Sequence, residues 1–338
     1  DRTFRATRTA AKWWNERKKG SRTFRERVTE SLEQLQQPIV VVIDDIDRLT
    51  TAEIRDIFKL VRLTASFPNV IYVLAFDRRR VEQALTEDGV PGRSYLEKIL
   101  QLSFDLPFIP TEIMRVQVLE RLNVVLEDVE DLMFNQDLWL DVFVEIIEPL
   151  IVSLRDVSRL GLSARPTLRA LGAQIETVDL LALEAVRVFR PEVFTAIYSA
   201  RVSLTEPQGY YDRGDNAMHK AAIENLLKDA GPDEQLVRAL IQRVFPAGHG
   251  YVENIRFGST SADTWKRGHR VAHLGYLDLY FGRTAPTEIV SFRQAELAFA
   301  RIADSRAFAE YLESIPTENL ESVITGLETY QGDYPAEA

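Results

Sequence analysis

Two adjacent carboxylates, Asp44 and Asp45, follow five consecutive apolar residues, and their types and spacing suggest metal-assisted hydrolysis. The run Ile39 to Ile43 is β-branched throughout, which is typical of a strand buried on both faces of a parallel sheet. In open α/β sheets, ligands bind beyond the carboxyl ends of the strands. There, a first carboxylate can hold Mg²⁺ and a second can orient or deprotonate an attacking water. The pair therefore predicts a Walker B site of a phosphate-binding NTPase; the alternative is two acids that only cap a strand.

A second apolar run, Val70 to Phe76, ends on Asp77. Between the two runs, Thr50 and Glu53 have the spacing of a capping box and precede an amphipathic helix. Strand, helix and strand make a βαβ unit, so the second strand should lie close to the first. Asp77 should then lie at the same sheet edge, where a polar residue can sense the γ-phosphate or position water. Its alternative role is the N-cap of a helix over residues 78–85.

The remaining sequence predicts a short helix at 95–100, a third strand at 102–106 and then a change to helical spacing. Predicted helices cover residues 112–131, 137–154, 166–175, 177–189, 191–201, 215–230, 233–245, 266–281, 286–303 and 305–314. Pro149 should kink or split the second of these helices, and the polar segment 208–216 is the best linker candidate. The predicted fold class is therefore a partial α/β core with a parallel sheet, followed by an all-α helical region.

Composition limits the classes of function. The chain has 338 residues, of which 46% are hydrophobic and 27% charged, as expected for a globular protein with two or more domains. Its net charge of -10 argues against nucleic-acid binding over the whole surface. Residues 1–35 carry ten Lys/Arg and five Asp/Glu, a local charge of +5 that leaves -15 on the remainder. This basic segment, with Trp13 and Trp14, could bind nucleic acid, an acidic surface or a partner subunit, or could be a solvated helix face.

The sequence contains no cysteine, which excludes disulfides and thiolate metal sites and is compatible with the cytoplasm, where we expect the protein. No apolar run has the roughly 18–20 residues of a membrane helix, and no signal-peptide pattern opens the sequence. Because the first residue is Asp1, we expect the chain to be part of a longer protein. His269 and His273 have the spacing of a zinc pair, but Arg270 stands where a zinc peptidase has glutamate.

Four ordered blocks of sequence resemble the KAP family of P-loop NTPases. They are V-V-V-I-D-D-I-D-R-L-T at 40–50, E-I-R-D-I-F-K-L-V-R-L at 53–63, F-P-N-V-I-Y-V-L-A-F-D at 67–77 and Y-L-E-K-I-L-Q-L-S-F-D-L-P at 95–107. Weaker similarity continues through L-R-D-V-S-R at 154–159 to about residue 201. The resemblance implies a P-loop NTPase core with a helical region, and bacterial family members recur in mobile and phage-defence loci.

The resemblance also implies a division of the chain and roles for single residues. The expected domains are a basic N-terminal helical segment at 1–37, the Walker B half of the core at 38–110, a lid-like helical region at 111–206 and a C-terminal helical domain at 207–338. Asp44 would be the Mg²⁺ ligand and Asp45 the water-orienting acid. Arg48 would lie near the phosphates or a neighbouring subunit, and Asp77 would be the sensor-like residue.

Two arginines of the helical region, Arg155 and Arg159, match the family's Arg-Asp helix. By analogy with related NTPases they could reach the γ-phosphate, so they are candidate nucleotide-binding residues. Their alternative role is that of salt-bridged surface residues.

One expected motif is missing. A P-loop needs G-x-x-x-x-G-K-[ST], because its glycine N–H groups cradle the phosphates and its lysine neutralises them. No such string occurs in the sequence, and the Lys18–Ser21 stretch does not match it. Because the family places its P-loop before the Walker B strand, we expect the motif upstream of Asp1. The alternative is a pseudo-NTPase that works without nucleotide.

The expected function is therefore that of an ATPase that uses ATP and Mg²⁺ to switch helical elements or a homo-oligomer, in defence against phage. Expected partners are further copies of the chain and an effector protein, with a phage component as the trigger. The alternatives are a non-catalytic scaffold whose helical region binds a partner protein, and a nucleic-acid-binding module that uses residues 1–35.

Overall fold

The chain folds into two compact units, Asp1–Pro107 and Phe108–Ala338, in a computed structural model. The structure describes residues 24–87, 89–207, 213–253 and 259–334. Most of the predicted basic segment, including Trp13 and Trp14, lies outside these residues, as does the first half of the predicted linker. Of the helices within the described ranges, none is long and apolar enough to cross a membrane.

The first unit is built on two parallel strands, β1 (Ile39–Ile43) and β2 (Val70–Leu74). They pair without a shift, from Ile39 opposite Val70 to Ile43 opposite Leu74. The elements around them are the helices α1 (24–33), α2 (Thr51–Thr64), α3 (Arg78–Leu85) and α4 (Gly92–Leu96), with a 3₁₀ turn at Ile46–Arg48. The predicted βαβ unit is therefore confirmed, with its two strands directly side by side.

The crossover helix α2 forms where local signals predict it. The Thr50 N–H donates to the Glu53 carboxylate (2.9 Å), and the Glu53 N–H donates to the Thr50 hydroxyl (3.4 Å), which is the predicted capping box. Ile54, Phe58 and Val61 then recur on one face and are buried. Ile54 and Phe58 share a core with residues of α3, so α2 fixes α3 beside the strands.

The two strands are covered on one face only by the described residues. Ile43 and Leu74 pack against the α2–α3 core, but the alternate residues are largely exposed, with Val42 at 66% and Val40 at 54%. Ile71 on β2 pairs with Val40 and lies on the same exposed face of the sheet. The predicted burial of β1 on both faces is therefore not met within the described residues, whose helices cover one side of the sheet.

The predicted third strand at 102–106 is absent; the described part of the first unit holds a two-stranded sheet. This segment has no regular secondary structure, and Leu102, Phe104 and Leu106 are exposed. Alternating apolar residues satisfy the local requirement for a strand, but a strand also needs a partner edge for its hydrogen bonds. No described strand lies beside this segment.

The second unit is helical throughout its described residues. Its α-helices are α5 (Thr111–Leu126), α6 (Gln136–Val142), α7 (Leu154–Leu171), α8 (Thr177–Phe189), α9 (Pro191–Ser199), α10 (Arg201–Thr205), α11 (Arg213–Asp229), α12 (Glu234–Arg243), α13 (Pro246–Glu253), α14 (Ser259–Arg267), α15 (Leu274–Gly282), α16 (Thr287–Phe299), α17 (Ser305–Glu313) and α18 (Thr317–Glu328). Its main apolar core draws on helices on both sides of residue 207, where the sequence predicts a domain boundary.

Of two helix predictions made at prolines, one is confirmed and one is wrong. The chain after α6 passes through a π turn and a 3₁₀ turn that contains Pro149, so the predicted break is confirmed. The helix predicted to begin at 166 is wrong, because α7 begins at Leu154 and continues through Pro166. A capping box of Ser153 and Asp156 starts α7, and the buried stripe of this helix outweighs the hydrogen bond lost at the proline.

A buried ion pair joins distant parts of the second unit. Asp179, on the central helix α8, is fully buried and accepts two hydrogen bonds from Arg270 (2.6 and 2.9 Å) and one from the Val271 N–H (3.0 Å). Arg270 also donates to the backbone oxygen of Arg243 (2.9 Å). The interaction thus ties the start of α8 to the end of α12 and to the segment before α15.

Replacing Asp179 with alanine should destabilise the second unit strongly. The guanidinium of Arg270 would stay buried without its carboxylate, and losing one partner of a buried pair costs about 3–5 kcal/mol. Urea unfolding of the 338-residue chain measures this loss. The control is Arg238→Ala, because the pair of Arg238 with Glu234 is half exposed and should contribute at most about 1 kcal/mol. Equal losses in the two variants would contradict the assignment.

A second buried acid, Glu176, caps α8. Its carboxylate accepts hydrogen bonds from the N–H groups of Asn135 (2.9 Å), Val178 (3.0 Å) and Asp179 (2.8 Å). Burial, together with the nearby Asp179 carboxylate, raises the pKa of Glu176 to about 7. Because the folded chain then holds this proton more tightly than the unfolded chain, the resulting stabilisation is fully present below pH 4.5 and is lost as the pH rises through about 7.

The free energy of unfolding should therefore fall with pH relative to that of Glu176→Gln, which cannot titrate. Between about pH 5.5 and pH 8 we expect the difference between the two proteins to change by about 2 kcal/mol. Urea titrations of both proteins at several pH values in this interval measure it. A difference that does not vary with pH would show that Glu176 is ionised throughout.

Candidate active site

The candidate site lies at the carboxyl edge of the two parallel strands. Ile43 stands opposite Leu74, and the Ala75 N–H donates to the Ile43 carbonyl (2.9 Å), which extends the pairing by one residue. The loops that carry Asp44 and Asp77 leave the sheet directly after these residues. The structure therefore places both acids on loops at the same edge.

Asp45 has a left-handed backbone conformation, with φ 58° and ψ 26°. Asp and Asn adopt this conformation more readily than other non-glycine residues. The Asp45 N–H donates to the Asp44 carboxylate (2.7 Å), and the chain then turns so that the next residue, Ile46, is fully buried. This turn fixes the backbone of the carboxylate pair while its side chains remain accessible.

Arg48 forms an ion pair with Asp45 across the 3₁₀ turn. The distance from Arg48 Nε to Asp45 Oδ1 is 3.0 Å, and both side chains are more than half exposed. Asp45 Oδ2 makes no hydrogen bond with the described residues, so one of its oxygens is free to meet a water. Arg48 thus holds one end of the carboxylate without blocking the other.

Asp47 connects the two loops, which the sequence analysis did not foresee. Its Oδ1 accepts a hydrogen bond from the Asp77 N–H (3.3 Å), while the Asp77 carboxylate accepts from the Arg80 N–H (2.7 Å) and caps α3. Arg80 in turn reaches the Leu49 carbonyl with a long contact of 3.5 Å. Asp47 lies two residues past the acid pair, and its spacing alone gives no sign of this partner.

The geometry of the edge suits a magnesium ion held largely by its substrate. Among the described residues, no three His, Cys, Asp or Glu side chains are grouped closely enough to cage a metal. Mg²⁺ prefers oxygen ligands and is commonly bound through one or two carboxylates together with phosphate oxygens and water. An accessible carboxylate such as Asp44 meets that requirement.

Arg155 and Arg159 lie in the second unit, at the start of α7. Arg155 is exposed. Arg159 pairs with Asp156 (3.3 Å), donates to the Val188 carbonyl (3.3 Å) and lies 5.2 Å above the ring of Phe189. These contacts give Arg159 a packing role between α7 and α8, and the γ-phosphate role of both arginines stays a prediction.

The two histidines with zinc-like spacing do not share a helix. α14 ends at Arg267 and α15 begins at Leu274, so the helix predicted at 266–281 is divided between them. His269 contacts the Gln174 carbonyl and Glu296 with its two ring nitrogens, whereas His273 caps α15. Both side chains serve the packing of the second unit.

Comparison with known proteins confirms the resemblance over the N-terminal half. Residues 4–165 match the family described as "KAP family P-loop domain". An 87-residue stretch is 39% identical to the phage T7 exclusion protein of Escherichia coli (strain K12), a match that covers 25% of this chain and 12% of that protein. No solved structure matches the chain.

The backbone at Asp45 predicts which substitutions the site tolerates. Asp45→Asn should change the free energy of unfolding by less than about 1 kcal/mol, because Asn also adopts the left-handed conformation and only an exposed ion pair is lost. Asp45→Val should cost on the order of 1–2 kcal/mol, since a β-branched side chain is strained there. Urea unfolding of the two variants measures the difference. Equal stability would mean that the turn rearranges.

Proposed function

Because residues 4–165 match the KAP family P-loop domain, we propose that this chain is part of an NTPase that binds ATP with Mg²⁺ and hydrolyses it. The observation that carries the proposal is the Asp44–Asp45 pair at the carboxyl edge of two parallel strands. Asp44 supplies a carboxylate oxygen to the metal, which when bound would neutralise charge on the phosphate oxygens. Asp45 orients the attacking water and accepts its proton.

The neighbours of Asp45 suit this role. A general base needs a free acceptor within reach of water. Arg48 engages only Oδ1 of the carboxylate, which leaves Oδ2 for the water. In this proposal Asp77, tied to the same edge by Asp47, is the sensor-like residue. Arg48 then holds one oxygen of the base and stands near the phosphates or a neighbouring subunit.

The P-loop of this enzyme would come from a part of a longer protein outside these residues. The printed sequence has no G-x-x-x-x-G-K-[ST] string. Two parallel strands with one covered face are not a stable sheet by themselves, because parallel sheets are normally buried on both faces. The exposed apolar face with Val40, Val42 and Ile71 offers a surface on which further strands or helices of the longer protein would pack. The matched stretch covers only 12% of the phage T7 exclusion protein, which is consistent with a longer protein.

The biological role that we propose is defence against phage in the bacterial cytoplasm. It is supported by the similarity to a phage exclusion protein. In this proposal the nucleotide state changes the position of helical elements, including the start of α7 with Arg155 and Arg159, or the assembly of a homo-oligomer. A phage component would be the trigger, and an effector protein would act in trans.

ATPase assays on the longer protein that includes a P-loop test the proposal. Asp45→Asn should lower Mg²⁺-dependent turnover by about 100-fold or more while nucleotide binding stays within a few fold, because it removes the base and keeps the turn. Asp44→Ala should instead weaken Mg²⁺-dependent nucleotide binding. Both are measured by phosphate release and by equilibrium binding of a labelled nucleotide.

The matched control is Asp56→Asn, an exposed acid of α2 that pairs only with Lys59 in the described residues and should leave turnover unchanged. Full turnover in Asp45→Asn would refute its assigned role. A longer protein that neither binds nor hydrolyses nucleotide would favour the non-catalytic scaffold.

A further inference from the structure

The last residues of the first unit, which follow α4 and end at Pro107, make few contacts with the rest of that unit. This connector, residues 101–107, makes no backbone hydrogen bond with the described residues. Its apolar side chains Leu102, Phe104 and Leu106 point into solvent, and Leu106 is 93% exposed. Apolar burial therefore does little to hold the connector against the first unit.

Two polar side chains of the connector, Ser103 and Asp105, instead meet a single arginine. Arg78 Nη2 donates to the Ser103 hydroxyl (2.5 Å) and lies 3.5 Å from Asp105 Oδ1. The same guanidinium is 3.8 Å from Glu82 on its own helix, which keeps its side chain along α3. Arg78 thus bridges α3 and the connector.

The backbone of Arg78 lies next to the sheet edge that holds the candidate site. It directly follows Asp77, whose N–H binds Asp47 and whose carboxylate caps α3. A change in the position of Asp77 would therefore move the backbone from which Arg78 reaches Ser103 and Asp105. Asp77 is therefore linked to the connector through one peptide bond to Arg78 and the side-chain contacts of Arg78.

The next residue provides a contrast. Arg79 is exposed and makes no side-chain hydrogen bond or ion pair with the described residues, although it belongs to the same run of three arginines. Because Arg78 and Arg79 have the same charge and lie in the same turn, a general effect of positive charge would be shared by both. A specific attachment of the connector would depend on Arg78 alone.

We propose that Arg78 is a positioning residue that fastens the connector to the nucleotide edge, so that nucleotide state changes the attachment of residues 101–107. The inference rests on the proposed NTPase function and extends it, since it names the residue that transmits the state of Asp77. The Arg78 side chain is 44% exposed and that of Asp105 is 86% exposed, and such exposed contacts are weak enough for a bound ligand to remake or release them.

The absence of cysteine from the printed sequence gives a direct test. Leu106→Cys, on the exposed side of the connector, carries one nitroxide label whose mobility is read by electron paramagnetic resonance. In the 338-residue chain, Arg78→Ala should increase the mobility of the label at least twofold, Arg78→Lys should have a smaller effect because the charge is kept, and Arg79→Ala should have none. Equal effects of Arg78→Ala and Arg79→Ala would overturn the attachment.

The coupling is tested in the longer protein, with any additional cysteines replaced by serine. Binding of Mg²⁺ and a non-hydrolysable ATP analogue should change the label mobility when Arg78 is present, and Arg78→Ala should remove this change while nucleotide binding persists. A purely structural Arg78 would not affect the nucleotide dependence. Nucleotide binding with an unchanged label would refute the coupling alone, whereas failure to bind nucleotide would refute both the coupling and the proposed function.

Discussion

The parallel pairing of β1 with β2 is the constraint on which the candidate site depends. Parallel strands need a crossover, and α2 supplies it by packing Ile54 and Phe58 into the core that also holds α3. Once Ile43 stands opposite Leu74, both following loops must leave the same edge. The left-handed turn at Asp45 then presents the carboxylates there.

Much of this edge could be predicted, because its signals are local. A β-branched run, a capping box and a polar residue after each strand are short patterns that determine structure within a few residues. The segment 102–106 failed as a strand because its pattern was correct but its pairing partner is not among the described residues. Asp47 was missed for a related reason, since its partner is the Asp77 N–H, thirty positions along the chain.

The second unit shows the limits of apolar periodicity more clearly. α8 is buried around its whole circumference over ten residues and yet contains Asp179 and Glu184. Glu184 is satisfied by Ser163, Arg187 and Tyr280, which come from three different helices. A sequence indicates that such acids lie on an apolar helix, but their partners are set by tertiary packing. Buried charges of this kind impose a specific arrangement, because any other packing would leave them unpaired.

The two units therefore differ in how their charged groups are stabilised. Asp179, Glu176 and Glu184 are buried acids that folding itself satisfies, whereas Asp45 and Arg48 at the sheet edge are more than half exposed. Exposed ion pairs contribute little to stability and can exchange partners at small cost. Packing does not hold the side chains of this polar edge in one arrangement. A charged ligand can therefore order them, because the free energy of binding then selects one arrangement of the side chains.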